Sequence, residues 1–140
     1  KIRMKFFFDS SAIAKRYIKE GGSELVDQLF LEADSIIVSS ICLPEIMSAL
    51  TRRRREKKLS PAQYNQCKRS AIEDFSSFEV RQLSPEVIRR SIILLENAEL
   101  RTLDALQLAC AIETKESVFV SSDKRQNAAA EKFSLKISPV

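Results

Sequence analysis

The chain has no histidine among its 140 residues. That absence excludes Ser-His-Asp and Cys-His nucleophilic schemes, histidine general bases and histidine-ligated metals. Cysteine is scarce as well: Cys42, Cys67 and Cys110 are widely spaced, odd in number and form no C-x-x-C pair. Neither a disulfide framework nor a zinc site follows, and reduced thiols in a cytoplasmic protein are the expectation. With only 2 glycines and 4 prolines, long flexible loops are not expected. No apolar run approaches the ~18 residues of a membrane span. The apolar run Phe6-Phe7-Phe8 also falls short of the roughly 7–15 residues of a signal-peptide core, so no membrane association is expected.

What is present fits a globular protein. Hydrophobic residues make up 44% and charged residues 30%, which separates the chain from disordered sequences. Its length suits a single domain over residues 1–140, burying roughly 68–70% of its unfolded surface. The net charge of +4 and pI near 9.1 tolerate a polyanionic partner without requiring one.

Short apolar runs alternate with helical stripes. Strands are expected at 6–8, 35–39, 79–83 and 117–121, with a last one near 134–137. Ile13, Tyr17 and Ile18 form a weak helical stripe over 11–20, and Gly21-Gly22 breaks it. Ser23, Ser60-Pro61, Ser84-Pro85 and Thr102 read as helix caps. The helix that Thr102 opens is nearly all apolar, hence buried and central. Strand–helix alternation of this kind gives βαβ units, hence a three-layer α/β/α sandwich around a mainly parallel sheet.

Two strands end alike: Phe6-Phe7-Phe8 runs into Asp9-Ser10-Ser11, and Val118-Phe119-Val120 into Ser121-Ser122-Asp123. A third strand, Ile36-Ile37-Val38, is followed by Glu45 in the first turn of its helix, and Asp104 is the only charge between Leu103 and Ile112. Parallel strands put their carboxyl ends along one edge, which brings Asp9, Glu45 and Asp123 to one side of the molecule. Each has a plainer reading taken alone. Asp9, Ser10 or Asp123 can cap a helix, Glu45 and Asp104 gain from helix dipoles, and Arg101 can partner Asp104. Jointly they are harder to dismiss, because two carboxylates ~4 Å apart repel by about 4 kcal/mol at an effective dielectric of 20. An all-oxygen site without histidine suits a hard cation, Mg²⁺ or Mn²⁺, and such ions serve phosphate chemistry.

Four segments carry a family resemblance: Phe8-Asp9-Ser10-Ser11-Ala12-Ile13-Ala14-Lys15 with Tyr17, Leu43-Pro44-Glu45-Ile46, Leu103-Asp104-Ala105-Leu106-Gln107-Leu108-Ala109, and Val120-Ser121-Ser122-Asp123-Lys124-Arg125. In this order and spacing, from Phe6 to about Ile137, the chain resembles the PIN-domain nucleases, and among them the VapC-type toxins of toxin–antitoxin pairs. The resemblance implies a Mg²⁺- or Mn²⁺-dependent endoribonuclease with Asp9, Glu45, Asp104 and Asp123 as catalytic residues and metal ligands, supported by the hydroxyls of Ser10 and Ser121. Asp9, Asp104 and Asp123 would hold the metal, and Glu45 would orient or deprotonate the attacking water, leaving a 5′-phosphate and a 3′-hydroxyl. Many relatives have His where this chain has Gln107, and some have a further acid where Asn127 stands here. The resemblance also implies an RNA substrate, a cognate antitoxin and a homodimer.

The run Arg52 to Lys58 has six basic residues in seven. It reads either as a solvated helix end or as a phosphate track through Arg52, Arg54 and Arg55. The helices bearing Met47, Leu50, Tyr64 and Ile72 carry more apolar surface than one sheet face needs, and the resemblance implies that it serves the homodimer or the antitoxin. Phosphoaspartate enzymes are disfavoured, since Ser11 stands where a haloacid dehalogenase has its second acid and a receiver domain needs an acidic pair before Asp9. The remaining alternative is a catalytically inactive PIN-like module that binds RNA or acts as a scaffold.

Overall fold

A computed structural model describes residues 3–140. Five parallel strands form one sheet in the order β3-β2-β1-β4-β5. At its centre β1 (Lys5–Phe8) lies between β2 (Ser35–Ser39) and β4 (Val118–Ser121). The edges are β3 (Glu79–Arg81), whose residues are all exposed, and β5 (Lys136–Pro139).

Side chains alternate across a strand, so the three phenylalanines divide between two cores. Phe6 and Phe8 join Val38 and Val120 beneath α1 (Ser10–Ile13), α2 (Ser23–Glu32), α3 (Cys42–Arg55) and α4 (Pro61–Ser77). Phe7 faces the other way, with Ile37 and Phe119, beneath α5 (Pro85–Asn97), α6 (Thr102–Glu113) and α7 (Lys124–Lys132). The Phe7 and Phe119 rings stack with centroids 6.3 Å apart, and both side chains are fully buried. Each such burial contributes about 1.5–3 kcal/mol. The expected three-layer α/β/α sandwich is the architecture found.

Several local expectations are corrected. The stripe over 11–20 yields only the four-residue α1 and a 3₁₀ turn at Ala14–Arg16. Three apolar positions are too few to bury a longer helix, and Lys15 instead turns its ammonium onto the Gly21 carbonyl. Ser23 does not cap α2. Gly22 takes that place at φ +93°, while Ser23 Oγ accepts the Glu20 N–H at 2.9 Å. A β-carbon at Gly22 would also lie 2.9 Å from the Val140 carbonyl carbon, so glycine is required there twice over. Thr102 is the first residue of α6, and Arg101 precedes it without a side-chain cap. Ser60 and Ser84 do cap α4 and α5, Ser60 in a reciprocal box with Gln63. β3 stops at Arg81, and β5 starts after Ser134, which turns the chain at φ +66°.

The apolar surplus expected on α3 and α4 goes into their mutual packing. Leu50 and Tyr64 are buried and Met47 is half-buried, leaving Ile72 exposed. The larger exposed apolar set lies on α5, at Ile88, Ile92, Ile93 and Leu95. Among the described residues no helix is long and apolar enough to cross a membrane.

Candidate active site

From β1 the chain builds β2 and β3 on one side of the sheet, then β4 and β5 on the other. The crevice beyond the carboxyl ends at such a reversal is where open α/β sheets bind ligands. Asp9 directly follows β1, and Ser121 is the last residue of β4 with Asp123 two positions on. Glu45 and Asp104 lie in the first turns of α3 and α6. All four acids line one cleft of about 850 Å³.

Asp9 is buried, with 3% of its surface exposed. Its Oδ1 accepts from Ser11 Oγ at 2.7 Å and from the Ala12 N–H at 2.9 Å, which makes it the cap of α1. Its Oδ2 accepts from Ser121 Oγ at 2.5 Å. Burial pushes the carboxyl up to about 6, against the pull of these three hydrogen bonds, and the Asp123 charge adds to the rise. Asp123 is also a cap, since its Oδ1 accepts from the Arg125 and Gln126 N–H groups at 2.8 and 3.2 Å. Ser121 Oγ in turn accepts the Asp123 N–H at 2.9 Å. Helix capping and a place in the cleft therefore coexist in both aspartates.

Glu45 is held by one oxygen. Its Oε1 accepts from Ser10 Oγ at 2.7 Å and Gln107 Nε2 at 2.8 Å. Ser10 Oγ also lies 3.6 Å from Cys42 Sγ, and burial pushes that thiol up to about 12, leaving it protonated and inert. Asp104 leans towards solvent, its Oδ2 3.7 Å from Arg101 Nε. Partial burial raises its carboxyl above the usual range, with Asp123 and Glu45 adding repulsion and Arg101 opposing it.

The acids share a cleft without forming a ready-made cage: among the described residues no three His, Cys, Asp or Glu side chains are grouped closely enough to hold a metal ion. Glu45 is tethered to Ser10 and Gln107, and Asp104 is drawn towards Arg101. The donor set still fits a hard divalent cation. Its four acids offer hard carboxylate oxygens, and the upward shifts of Asp9 and Asp104 include repulsion from neighbouring acids.

The family model for the PIN domain matches residues 6–132. The chain belongs to the PIN domain family. Solved structures share its fold at low sequence identity. A Mycobacterium tuberculosis protein, VapC20, described as a sarcin-ricin loop cleaving toxin, is 17% identical with a TM-score of 0.69, covering 89% of this chain and 94% of its own. FitAcB from Neisseria gonorrhoeae is 13% identical with a TM-score of 0.73, covering 96% of both chains. A toxin–antitoxin complex from Klebsiella pneumoniae is 15% identical with a TM-score of 0.66, covering 88% of this chain and 90% of its own. No curated protein matches the sequence.

This PIN domain recruits residues to which the sequence analysis gave no role in the site. Gln107 and Ser39 join the hydrogen-bonded group around Glu45, and Ser11 ties Asp9 to the Ser122 N–H at 3.1 Å. Gln126 lines the cleft and donates to the Asp104 carbonyl at 3.1 Å. One signal was available in the sequence: like Asp104, Gln107 is a polar residue in an apolar helix, and a buried polar group needs a partner. The basic residues divide by helical phase. Arg52 lines the cleft, whereas the Arg54 guanidinium sits 4.1 Å over the Tyr64 ring and Arg55 is exposed at the helix end.

Proposed function

We propose that this PIN domain is a Mg²⁺- or Mn²⁺-dependent endoribonuclease, and the toxin of a toxin–antitoxin pair. The observation that carries the reading is the convergence of Asp9, Glu45, Asp104 and Asp123 on one cleft at the reversal of the sheet. Asp9, Asp104 and Asp123, with Glu45, would hold the cation. When bound, the cation offsets charge on the phosphate oxygens and makes water a better nucleophile.

The chain's own groups do the rest. Ser121 keeps Asp9 aimed into the cleft, and Ser10 does the same for Glu45. Glu45 orients the attacking water and takes its proton as the new oxygen–phosphorus bond forms. The bond from phosphorus to O3′ breaks in line, and the leaving oxygen collects a proton to end as a 3′-hydroxyl opposite a 5′-phosphate. Arg52, on the cleft wall, offers a cation to the RNA backbone, with Arg55 exposed further out on the same basic helix end, while Arg54 is engaged with Tyr64.

An antitoxin is the partner this reading supplies, consistent with the toxin–antitoxin complex of similar fold, and a basic antitoxin side chain entering the acidic cleft would block it. The exposed apolar face of α5 supports a homodimer, and the reading takes each protomer as a single domain acting in the cytoplasm. The test is hydrolysis of RNA by purified wild-type and Asp9→Asn proteins. Wild type should cut and the variant should not. Equal hydrolysis by both would remove the reading, and no hydrolysis by either would leave an RNA-binding or scaffold module.

A further inference from the structure

We propose that Gln107 is a positioning residue that fixes the Glu45 carboxylate in a single orientation, an inference that rests on the nuclease reading above. Gln107 has 2% of its surface exposed, in the apolar body of α6. A buried amide needs partners at both ends. Its Oε1 accepts from Ser39 Oγ at 2.9 Å, and its Nε2 donates to Glu45 Oε1 at 2.8 Å and to Ser10 Oγ at 2.7 Å. An ionised carboxylate can only accept, so the amide nitrogen has to face Glu45. The Ser39 hydroxyl, donating to the amide oxygen, holds the amide that way round.

Ser10 closes the triangle. It accepts from Gln107 at 2.7 Å and donates its own hydrogen bond to the same Glu45 oxygen at 2.7 Å. Two donors thus converge on Oε1, while among the described residues Oε2 accepts no hydrogen bond and is left for water or a cation. The four residues come from four elements: Ser10 from α1, Ser39 from β2, Glu45 from α3 and Gln107 from α6. Since α3 and α6 belong to opposite helical layers, the amide ties the two layers together at the acid. Filling space would need none of this, because leucine or methionine occupies the same volume.

Gln107→Met keeps the length of the side chain and removes every hydrogen bond, while Ser39→Ala removes only the anchor of the amide. Three measurements separate positioning from packing: melting temperature, kcat and KM on one RNA oligonucleotide, and Mn²⁺ affinity by titration calorimetry. For Gln107→Met the expectation is a loss of about 10–100-fold in kcat or in Mn²⁺ affinity, as for groups that orient metal ligands, with KM for RNA within about twofold. Ser39→Ala should move the same quantities in the same direction by less, and it carries the test if Gln107→Met does not fold. Folded variants with wild-type kcat and wild-type Mn²⁺ affinity would overturn the positioning role, even with a lowered melting temperature. A wild-type protein that neither cleaves RNA nor binds Mn²⁺ overturns the nuclease reading, and this inference with it.

Discussion

Ser121 Oγ donates to Asp9 Oδ2 at 2.5 Å, joining the carboxyl ends of two neighbouring strands through one proton. This bond is the largest of the influences that hold the Asp9 carboxyl down against its burial. Ser121→Ala should therefore push that carboxyl further above about 6 and move the acidic limb of the pH–rate profile to higher pH. Activity should fall most near pH 6 and recover partly near pH 8. A profile that drops evenly at all pH values would count against the assignment.

Asp9 also predicts how stability depends on pH without divalent ions. Its folded value, about 6, lies above the unfolded value of 3.8, so the folded state holds the proton more tightly. The linked stability is fully present below pH 3.8 and is lost as pH rises towards about 6, amounting to about 3 kcal/mol at 1.36 kcal/mol per unit. Asp104 is shifted in the same direction and adds to the slope. Asp9→Asn removes the Asp9 part, so it should be more stable than wild type at pH 7.5 and lose that advantage near pH 4. Urea titrations in EDTA at the two pH values decide the point.

Divalent ions should reverse the penalty of the gathered charge. At Mn²⁺ about 100 times its dissociation constant, wild type should gain ~2.7 kcal/mol over the EDTA form, and Asp9→Asn or Asp123→Asn much less. Thermal unfolding with and without Mn²⁺ reads this directly. An equal gain in all three proteins would mean that the ion binds elsewhere.

Arg52 and Arg54 should behave differently although two positions separate them. Arg52 lines the cleft, so Arg52→Ala should reduce the salt slope of RNA binding by about 0.7, the amount for one contact to single-stranded phosphate. Arg54 packs on Tyr64, so Arg54→Ala should leave the slope unchanged and reduce stability by about 0.5–1 kcal/mol. Fluorescence anisotropy across a salt series, with urea unfolding alongside, checks both.

The sheet and its helical cover were legible because short apolar runs and strand-end acids are local signals. Phe6-Phe7-Phe8 followed by Asp9 announces a buried strand and its exit. Side-chain partnerships were not legible, since they join distant segments: Ser39 and Gln107 stand 68 residues apart and meet only in the fold. The surplus on α3 and α4 misled for the same reason. Leu50 and Tyr64 look unpartnered on separate stripes, and become core once the two helices pack. The weak stripe over 11–20 failed differently, because periodicity gives phase and not length.

The flanks of the sheet carry a consequence for assembly. β3 is short, exposed along its three residues and bears the ion pair between Arg81 and Glu79 at 2.8 Å, while β5 ends in Pro139, which has no amide proton to give. Charge on one border and a missing donor on the other discourage a foreign strand from being added, so the sheet resists lateral growth into fibrils. A polypeptide that binds this protein must then grip helices or enter the acidic crevice.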